Sequence, residues 1–237
     1  MNFFEKKKIL LVAILLVFAA NSFASRIFIP MDADGQKNHL KAYGIAYASL
    51  QINISVDWLL NYRGGSFAIE YNAPIERLCQ LRGVSFEVIS DAQYFGIVEK
   101  MSNPDNNEDI IKLEKAPKVA VYTPTGKHPW DDAVTLVLEY AQIPFDKVYD
   151  DEALAQKLPT YDWLHLHHED FTGQYGKFWG AYRFADWYQA DVSLLESIAK
   201  RNGYNKVSKL KLSVAKKIKE FVVGGGYLFA MCSATDS

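Results

Sequence analysis

The second half of the chain alternates short apolar runs with stretches whose apolar residues recur at helical spacing. The runs at 118–122, 145–149 and 162–167 predict strands, and 208–223 predicts an amphipathic helix. This alternation predicts an α/β fold with a mostly parallel sheet and helices on both faces, of the flavodoxin or Rossmann type. Ligands bind such sheets at the carboxyl ends of the strands, so we expect the functional side chains there.

A polar connector, Ser-Asn-Pro-Asp-Asn-Asn at 102–107, is followed by a charged run that ends at Pro117. Such a stretch is typical of a boundary between folded regions. We therefore expect an N-terminal α/β region at 25–115 and a second α/β region at 116–237.

The first 24 residues have the pattern of a secretory signal peptide. Three lysines at 6–8 precede a 12-residue apolar core at 9–20, and Ser22 and Ala24 are small residues suited to cleavage after Ala24. The core is shorter than the ~20 residues of a membrane span, so we expect an exported, periplasmic or extracellular protein without a stable membrane anchor. An uncleaved anchor is the alternative.

Charge and cysteine content limit the partners of the exported chain. The formal charge of −2 becomes −4 when the three lysines and one glutamate of the signal are removed. This balance excludes nucleic acid as an expected partner, and we expect a small-molecule ligand without a metal or cofactor. In an oxidising compartment, a disulfide between Cys79 and Cys232 is the alternative to a reactive Cys232.

The last residues have the order of a nucleophile elbow, in which a sharp strand-to-helix turn exposes a reactive side chain. A glycine run at 224–226 precedes an apolar run that ends in Met231-Cys232-Ser233. The backbone N–H of Ser233 would donate to an oxyanion. Ala230 and Ala234 are small, as the crowded turn requires. Cys232 is therefore the candidate nucleophile.

From about 118 to the end, the chain resembles the class I glutamine amidotransferase-like superfamily, through its strand-helix repeats and the segment Ala230-Met231-Cys232-Ser233-Ala234. The usual elbow of that family carries glycine where this chain has Ala230 and Ala234. The resemblance implies a cysteine-dependent amide or ester hydrolase or an amidotransferase. It also implies a histidine and an acid downstream of the elbow, so we expect a chain truncated at its C-terminus.

The whole chain resembles secreted bacterial proteins often labelled asparagine synthetase B, through the segments 36–44, 61–67 and 165–173. That label implies glutamine-dependent asparagine synthesis. Glutamine-dependent asparagine synthetases carry a cysteine directly after Met1, where this chain has Asn2. The segment 233–237 also lacks both glycines of their ATP loop. Asparagine synthesis is therefore the lesser alternative.

A second cluster of reactive side chains follows the strand at 162–167. His165 and His167 lie on one face of that strand, because side chains alternate, and His168, Glu169 and Asp170 follow directly. We predict His167, His168 or Glu169 as a base or orienting group for Cys232, and His165 and Asp170 as ligand-binding residues. Hydrogen-bonded histidines at a strand end, or two ligands of a metal, are the alternatives.

Two further segments offer ligand-binding side chains. Glycines alternate with aromatic residues after Phe171, and Tyr175 and Trp179 there predict a mobile lid, a sugar-stacking platform or a loop packed over the sheet. Arg63 precedes two glycines and predicts either an anion site or a plain turn. The same features also fit a non-catalytic binding protein for a small polar or sugar ligand, or a degenerate fragment.

Overall fold

The computed structural model describes residues 25–124, 132–167, 175–231 and 234–235, with the backbone alone for 175–178. The chain divides into two compact units, Met1–Ala116 and Pro117–Ser237. The predicted signal segment at 1–24 lies outside the described residues. Within the described residues, every helix is too short or too polar to cross a bilayer.

Within residues 25–116, the N-terminal unit contains five strands and three helices. Its strands are β1 (Ser25–Ile29), β2 (Val56–Leu60), β3 (Ser66–Glu70), β4 (Glu87–Ser90) and β5 (Asp109–Leu113), and its helices are α1 (His39–Gln51), α2 (Ala73–Arg82) and α3 (Asp91–Met101). Single 3₁₀ turns lie at Tyr62–Gly64 and Pro104–Asn106. The exposed strand β5 lies in the charged run that we predicted as part of a connector.

The sheet of this unit has the order β4-β1-β3-β2-β5, and all its neighbouring strands are antiparallel. The first six elements form a split β-α-β-β-α-β arrangement. The prediction of a mostly parallel sheet is therefore wrong for this unit. Five residues, Asn61 to Gly65, connect β2 to β3. Such a connection forms a hairpin, because a parallel crossover needs a dozen residues or more.

Helices cover both faces of this antiparallel sheet. On one face, Ala42 and Ile45 of α1 and Cys79 of α2 pack against Ile27 and Phe67. On the other face, α3 contributes Tyr94 and Met101 to a smaller cluster around Phe28 and Leu59. Cys79 lies in α2, and its thiol is free and fully buried.

The C-terminal unit contains four strands and five helices in the described residues. Its strands are β6 (Val119–Tyr122), β7 (Phe145–Val148), β8 (Trp163–Leu166) and β9 (Tyr227–Ala230), and its helices are α4 (Ala133–Ala141), α5 (Asp150–Leu154), α6 (Tyr175–Tyr182), α7 (Asp186–Arg201) and α8 (Val207–Val223). A single 3₁₀ turn lies at Leu158–Thr160. The chain is therefore α/β, as predicted.

The sheet of the C-terminal unit is parallel throughout, with the order β7-β6-β8-β9. The predicted parallel sheet is confirmed here. The chain leaves β6 toward β7 on one side and later returns to β8 on the other. The carboxyl ends of β6 and β8 therefore form a topological switch point, where open α/β sheets bind their ligands.

One face of the parallel sheet packs on helices α5, α7 and α8. Leu164 and Leu166 of β8 contact a core that includes Ile198 of α7 and Leu210 and Val214 of α8. The side chain of His165 lies on the opposite face, because side chains alternate along a strand. Helices α6 and α7 occupy the aromatic stretch from Tyr175 onward, so the prediction of a packed loop is wrong there. The lid and the sugar-stacking platform stay predictions.

A buried ion pair attaches α8 to the sheet. Lys211 Nζ lies 3.0 Å from Asp150 Oδ1 and 3.3 Å from the hydroxyl of Tyr122, which also donates to Asp150. The ammonium lies 4.6 Å from the ring centre of Tyr149. Asp150 is fully buried and Lys211 nearly so. Because two buried charges face each other, losing one leaves the other without compensation.

We predict that Lys211→Met lowers the free energy of unfolding by about 3–5 kcal/mol, because the Asp150 carboxylate then stays buried without its cation. Urea denaturation followed by tryptophan fluorescence measures this loss. The double variant Lys211→Met/Asp150→Asn should recover much of the stability. The exposed Lys209→Met on the same helix is the control, with a change within about 0.5 kcal/mol. Equal stability of Lys211→Met and Lys209→Met would contradict the prediction.

Candidate functional site

Three buried polar side chains meet at the switch point of the parallel sheet. Thr123 directly follows β6, Asp132 directly precedes α4, and His167 directly follows β8. Each is at most 4% exposed. The strand order brings them together, because β6 and β8 are neighbours whose carboxyl ends share one edge.

Asp132 connects these elements through both of its carboxylate oxygens. Oδ1 accepts hydrogen bonds from the backbone N–H groups of Val134 and Thr135, at 2.9 and 3.1 Å, and so caps the N-terminus of α4. Oδ2 lies 2.9 Å from His167 Nε2. The carboxylate therefore fixes the imidazole of His167 against the start of the helix.

The environment keeps Asp132 ionised. Burial, the largest influence, raises its pKa, but the N–H of Thr135, the charge of His167, the N–H of Val134 and the Thr123 hydroxyl together lower it below its usual value. Asp132 Oδ2 makes no hydrogen bond of good geometry among the described residues, so its 2.9 Å contact with His167 Nε2 is an electrostatic one.

His165 lies beside this pair, with its ring centre 5.6 Å from that of His167. It is 7% exposed and stacks on Phe229 of β9, with centroids 5.2 Å apart and planes inclined by 20°. The pKa of His165 is lowered to about 4, mainly by burial; the neighbouring His167 adds to the lowering, and Asp132 opposes both. His165 is therefore neutral at pH 7.

The strand that leads to Cys232 is the immediate neighbour of the histidine strand. Ala230 of β9 pairs with Leu166 of β8, and the Met231 N–H donates to the Leu166 carbonyl at 3.1 Å. Met231 is bonded to Cys232. The predicted residues Cys232, Ser233, His168, Glu169 and Asp170 lie outside the described residues, so their predicted roles stay predictions.

The other predicted ligand-binding residues lie elsewhere in the chain. Arg63 belongs to the N-terminal unit, where its guanidinium contacts Asp32 at 2.6 Å and Glu87 at 3.0 Å. Its loop forms the turn of the β2–β3 hairpin. Tyr175 begins α6, outside the part of the chain whose side chains are described. Trp179 is 58% exposed on α6 and stacks on Arg183.

Sequence reasoning missed Asp132 and Thr123 as members of the site. A local signal exists, because Asp132 directly precedes the helix that follows β6 in the chain, a usual place for a functional side chain in a parallel sheet. Its pairing with His167 depends on β6 and β8 being neighbours, which the sequence pattern does not reveal. Among the described residues, no group of three or more His, Cys, Asp and Glu side chains is placed to hold a metal ion.

Comparison with known proteins leaves the family open. No family model, curated protein sequence or solved structure matches the chain significantly.

We predict that Asp132→Ala lowers the free energy of unfolding by about 2–4 kcal/mol, because it removes a helix cap and the partner of a buried imidazole. Asp132→Asn retains a capping oxygen and should lose less. Urea denaturation measures both. Asn72→Ala is the matched control, because the Asn72 side chain caps α2 through the Ile75 N–H and contacts no histidine. If Asp132→Ala loses no more stability than Asn72→Ala, the contact between Asp132 and His167 does not stabilise the fold and the prediction is wrong.

We predict a loss of stability on acidification that depends on His165. The folded-state pKa of about 4 lies below the ordinary value of 6.5, so the unfolded chain binds more protons between these values. Stability is therefore complete above pH 6.5 and falls as the pH drops toward 4, by up to about 3 kcal/mol. Urea midpoints from pH 7.5 to 4 measure this loss. His165→Phe should reduce the slope of stability against pH, because it removes the group whose pKa is lowered on folding. Equal slopes of urea midpoint against pH in the wild type and in His165→Phe would refute this prediction.

Proposed function

We propose that this chain is an exported α/β protein of the class I glutamine amidotransferase-like superfamily and that it cleaves an amide or ester bond with a cysteine nucleophile. One observation carries the proposal. His167 is held by Asp132 at 2.9 Å, at the carboxyl edge of a parallel sheet whose neighbouring strand leads into Cys232. A base oriented by an acid beside a nucleophile is the arrangement that activates a thiol.

His167 Nε2 faces the Asp132 carboxylate at 2.9 Å. In this proposal the other ring nitrogen, Nδ1, is therefore the proton acceptor. Asp132 stabilises the imidazolium that forms when Nδ1 takes the thiol proton. In this proposal, Asp132 is a positioning residue and His167 is the general base.

The reaction then has two steps. The Cys232 sulfur bonds to the carbonyl carbon while its proton moves to His167, and the Ser233 N–H donates to the oxyanion. The C–N or C–O bond breaks, and the leaving group takes the proton from His167. Water then loses a proton to His167, attacks the thioester and releases the acid and the thiol. His168 and Glu169 remain candidate positioning residues.

A second function is the non-catalytic binding of a small polar or sugar ligand. A cleft of about 660 Å³ lies between α7 and α8. Its walls carry side chains that donate hydrogen bonds and side chains that accept them, among them Glu196, Lys200, Tyr204 and Asn205. This cleft favours the binding function, because polar groups around a concave surface fix the orientation of a ligand.

Export is part of the proposal. It rests on the sequence pattern of residues 1–24, a basic segment followed by a short apolar core and small residues at the expected cleavage position.

We predict that iodoacetamide modifies Cys232 at least ten times faster than Cys79 at pH 7.5, because burial raises the pKa of Cys79 to about 12. His167→Ala should slow modification of Cys232 about tenfold or more, since the thiol loses its base. Peptide mass spectrometry over a pH series gives both rates. His39→Ala in the N-terminal unit is the control. Cys232→Ser should also abolish hydrolysis of p-nitrophenyl acetate, and equal alkylation rates in wild type and His167→Ala would overturn the proposal.

A further inference from the structure

His165 carries a buried polar atom that the rest of the site leaves unused. Its Nε2 has no exposed surface and no hydrogen-bond partner among the described residues. A buried nitrogen without a partner costs free energy, and native proteins keep few such atoms. A polar group that reaches this atom would therefore be bound with a gain in free energy.

The surroundings of His165 are apolar on the side that faces β9, the edge strand of the sheet. The flat face of its ring lies against Phe229, and Trp163 lies 6.4 Å away by ring centres. Phe229 is 51% exposed and Met231 is 43% exposed. An exposed ring of this kind changes rotamer rapidly, so Phe229 can turn aside and admit a ligand group to Nε2.

Charge limits which group this position accepts. Asp132 is negative and lies on the other side of His167, and a buried neutral imidazole supplies no positive charge to an anion. An uncharged hydrogen-bonding group, carried on an apolar or planar body that covers Phe229, satisfies both the nitrogen and the apolar surface.

We propose that His165 Nε2 binds an uncharged polar group of the substrate and, with Phe229, selects neutral acyl groups over anionic ones. This inference rests on the proposed hydrolase function, because the contact lies beside the His167–Asp132 pair. His165 touches substrate and determines specificity, whereas His167 moves the proton.

The kinetic experiment compares p-nitrophenyl benzoate with the anionic mono-p-nitrophenyl succinate. We expect the wild-type protein to prefer benzoate by at least tenfold in kcat/KM. His165→Phe keeps the ring stack and removes the nitrogen, so it should raise the KM for benzoate at least tenfold and change kcat less. His165→Gln should restore part of the affinity. An unchanged KM in His165→Phe would overturn the inference.

A binding experiment tests the contact without turnover. Saturation-transfer NMR with benzamide is carried out on the Cys232→Ala protein, with and without His165→Phe. If the wild type hydrolyses neither ester but benzamide binding depends on His165, the hydrolase proposal fails and the binding role stands. If the wild type hydrolyses the esters but His165→Phe changes neither benzamide binding nor KM, the inference fails and the hydrolase proposal stands. If the protein neither binds benzamide nor hydrolyses either ester, both the inference and the hydrolase proposal fail.

A stability measurement separates ligand binding from a structural role. Because Nε2 has no partner in the described structure, His165→Phe should leave the melting temperature at pH 7.5 unchanged or raise it. The matched control is His39→Phe, since His39 Nε2 contacts the Met31 carbonyl at 3.0 Å. That variant should lower the melting temperature and leave KM unchanged. A lower melting temperature in His165→Phe would show a structural hydrogen bond and overturn the assignment.

Discussion

The C-terminal unit depends on one buried carboxylate, that of Asp132. It caps α4 with one oxygen and holds His167 with the other, so a single side chain fixes the start of a helix and the residue after β8. Burying the charge is unfavourable, and the N–H groups at the helix start make it tolerable because they point at the anion. The same contacts that stabilise α4 therefore orient the candidate base.

A second carboxylate, that of Asp150, is also buried at the start of a helix, but its partner is a lysine. Asp150 begins α5 directly after β7, as Asp132 precedes α4 after β6, and its partner is the ammonium of Lys211. This pair holds α8 against the sheet. The partner of Asp132 is instead a histidine, the side chain that we propose as the general base.

The sequence allowed the parallel sheet of the C-terminal unit to be predicted, because its strands are short apolar runs separated by helices. The antiparallel N-terminal sheet was mispredicted, although the five-residue connection between β2 and β3 carries the signal of a hairpin. His165 and His167 were found from their position at a strand end. Asp132 was not, because its partnership with His167 depends on strand order, which local patterns do not contain. Strand β5 was not predicted, because its apolar residues Ile110, Ile111 and Leu113 lie within a run of charged side chains.

The full burial of Cys79 has a consequence for the chemical lifetime of the protein. With its pKa raised to about 12 by burial, the thiol is almost never a thiolate at neutral pH. Oxidants and disulfide exchange act on thiolates that they can reach. The N-terminal unit therefore keeps a reduced cysteine even in an oxidising compartment. Oxidation of this thiol then requires α2 to open from the sheet, so the frequency of that opening limits the rate at which Cys79 is oxidised.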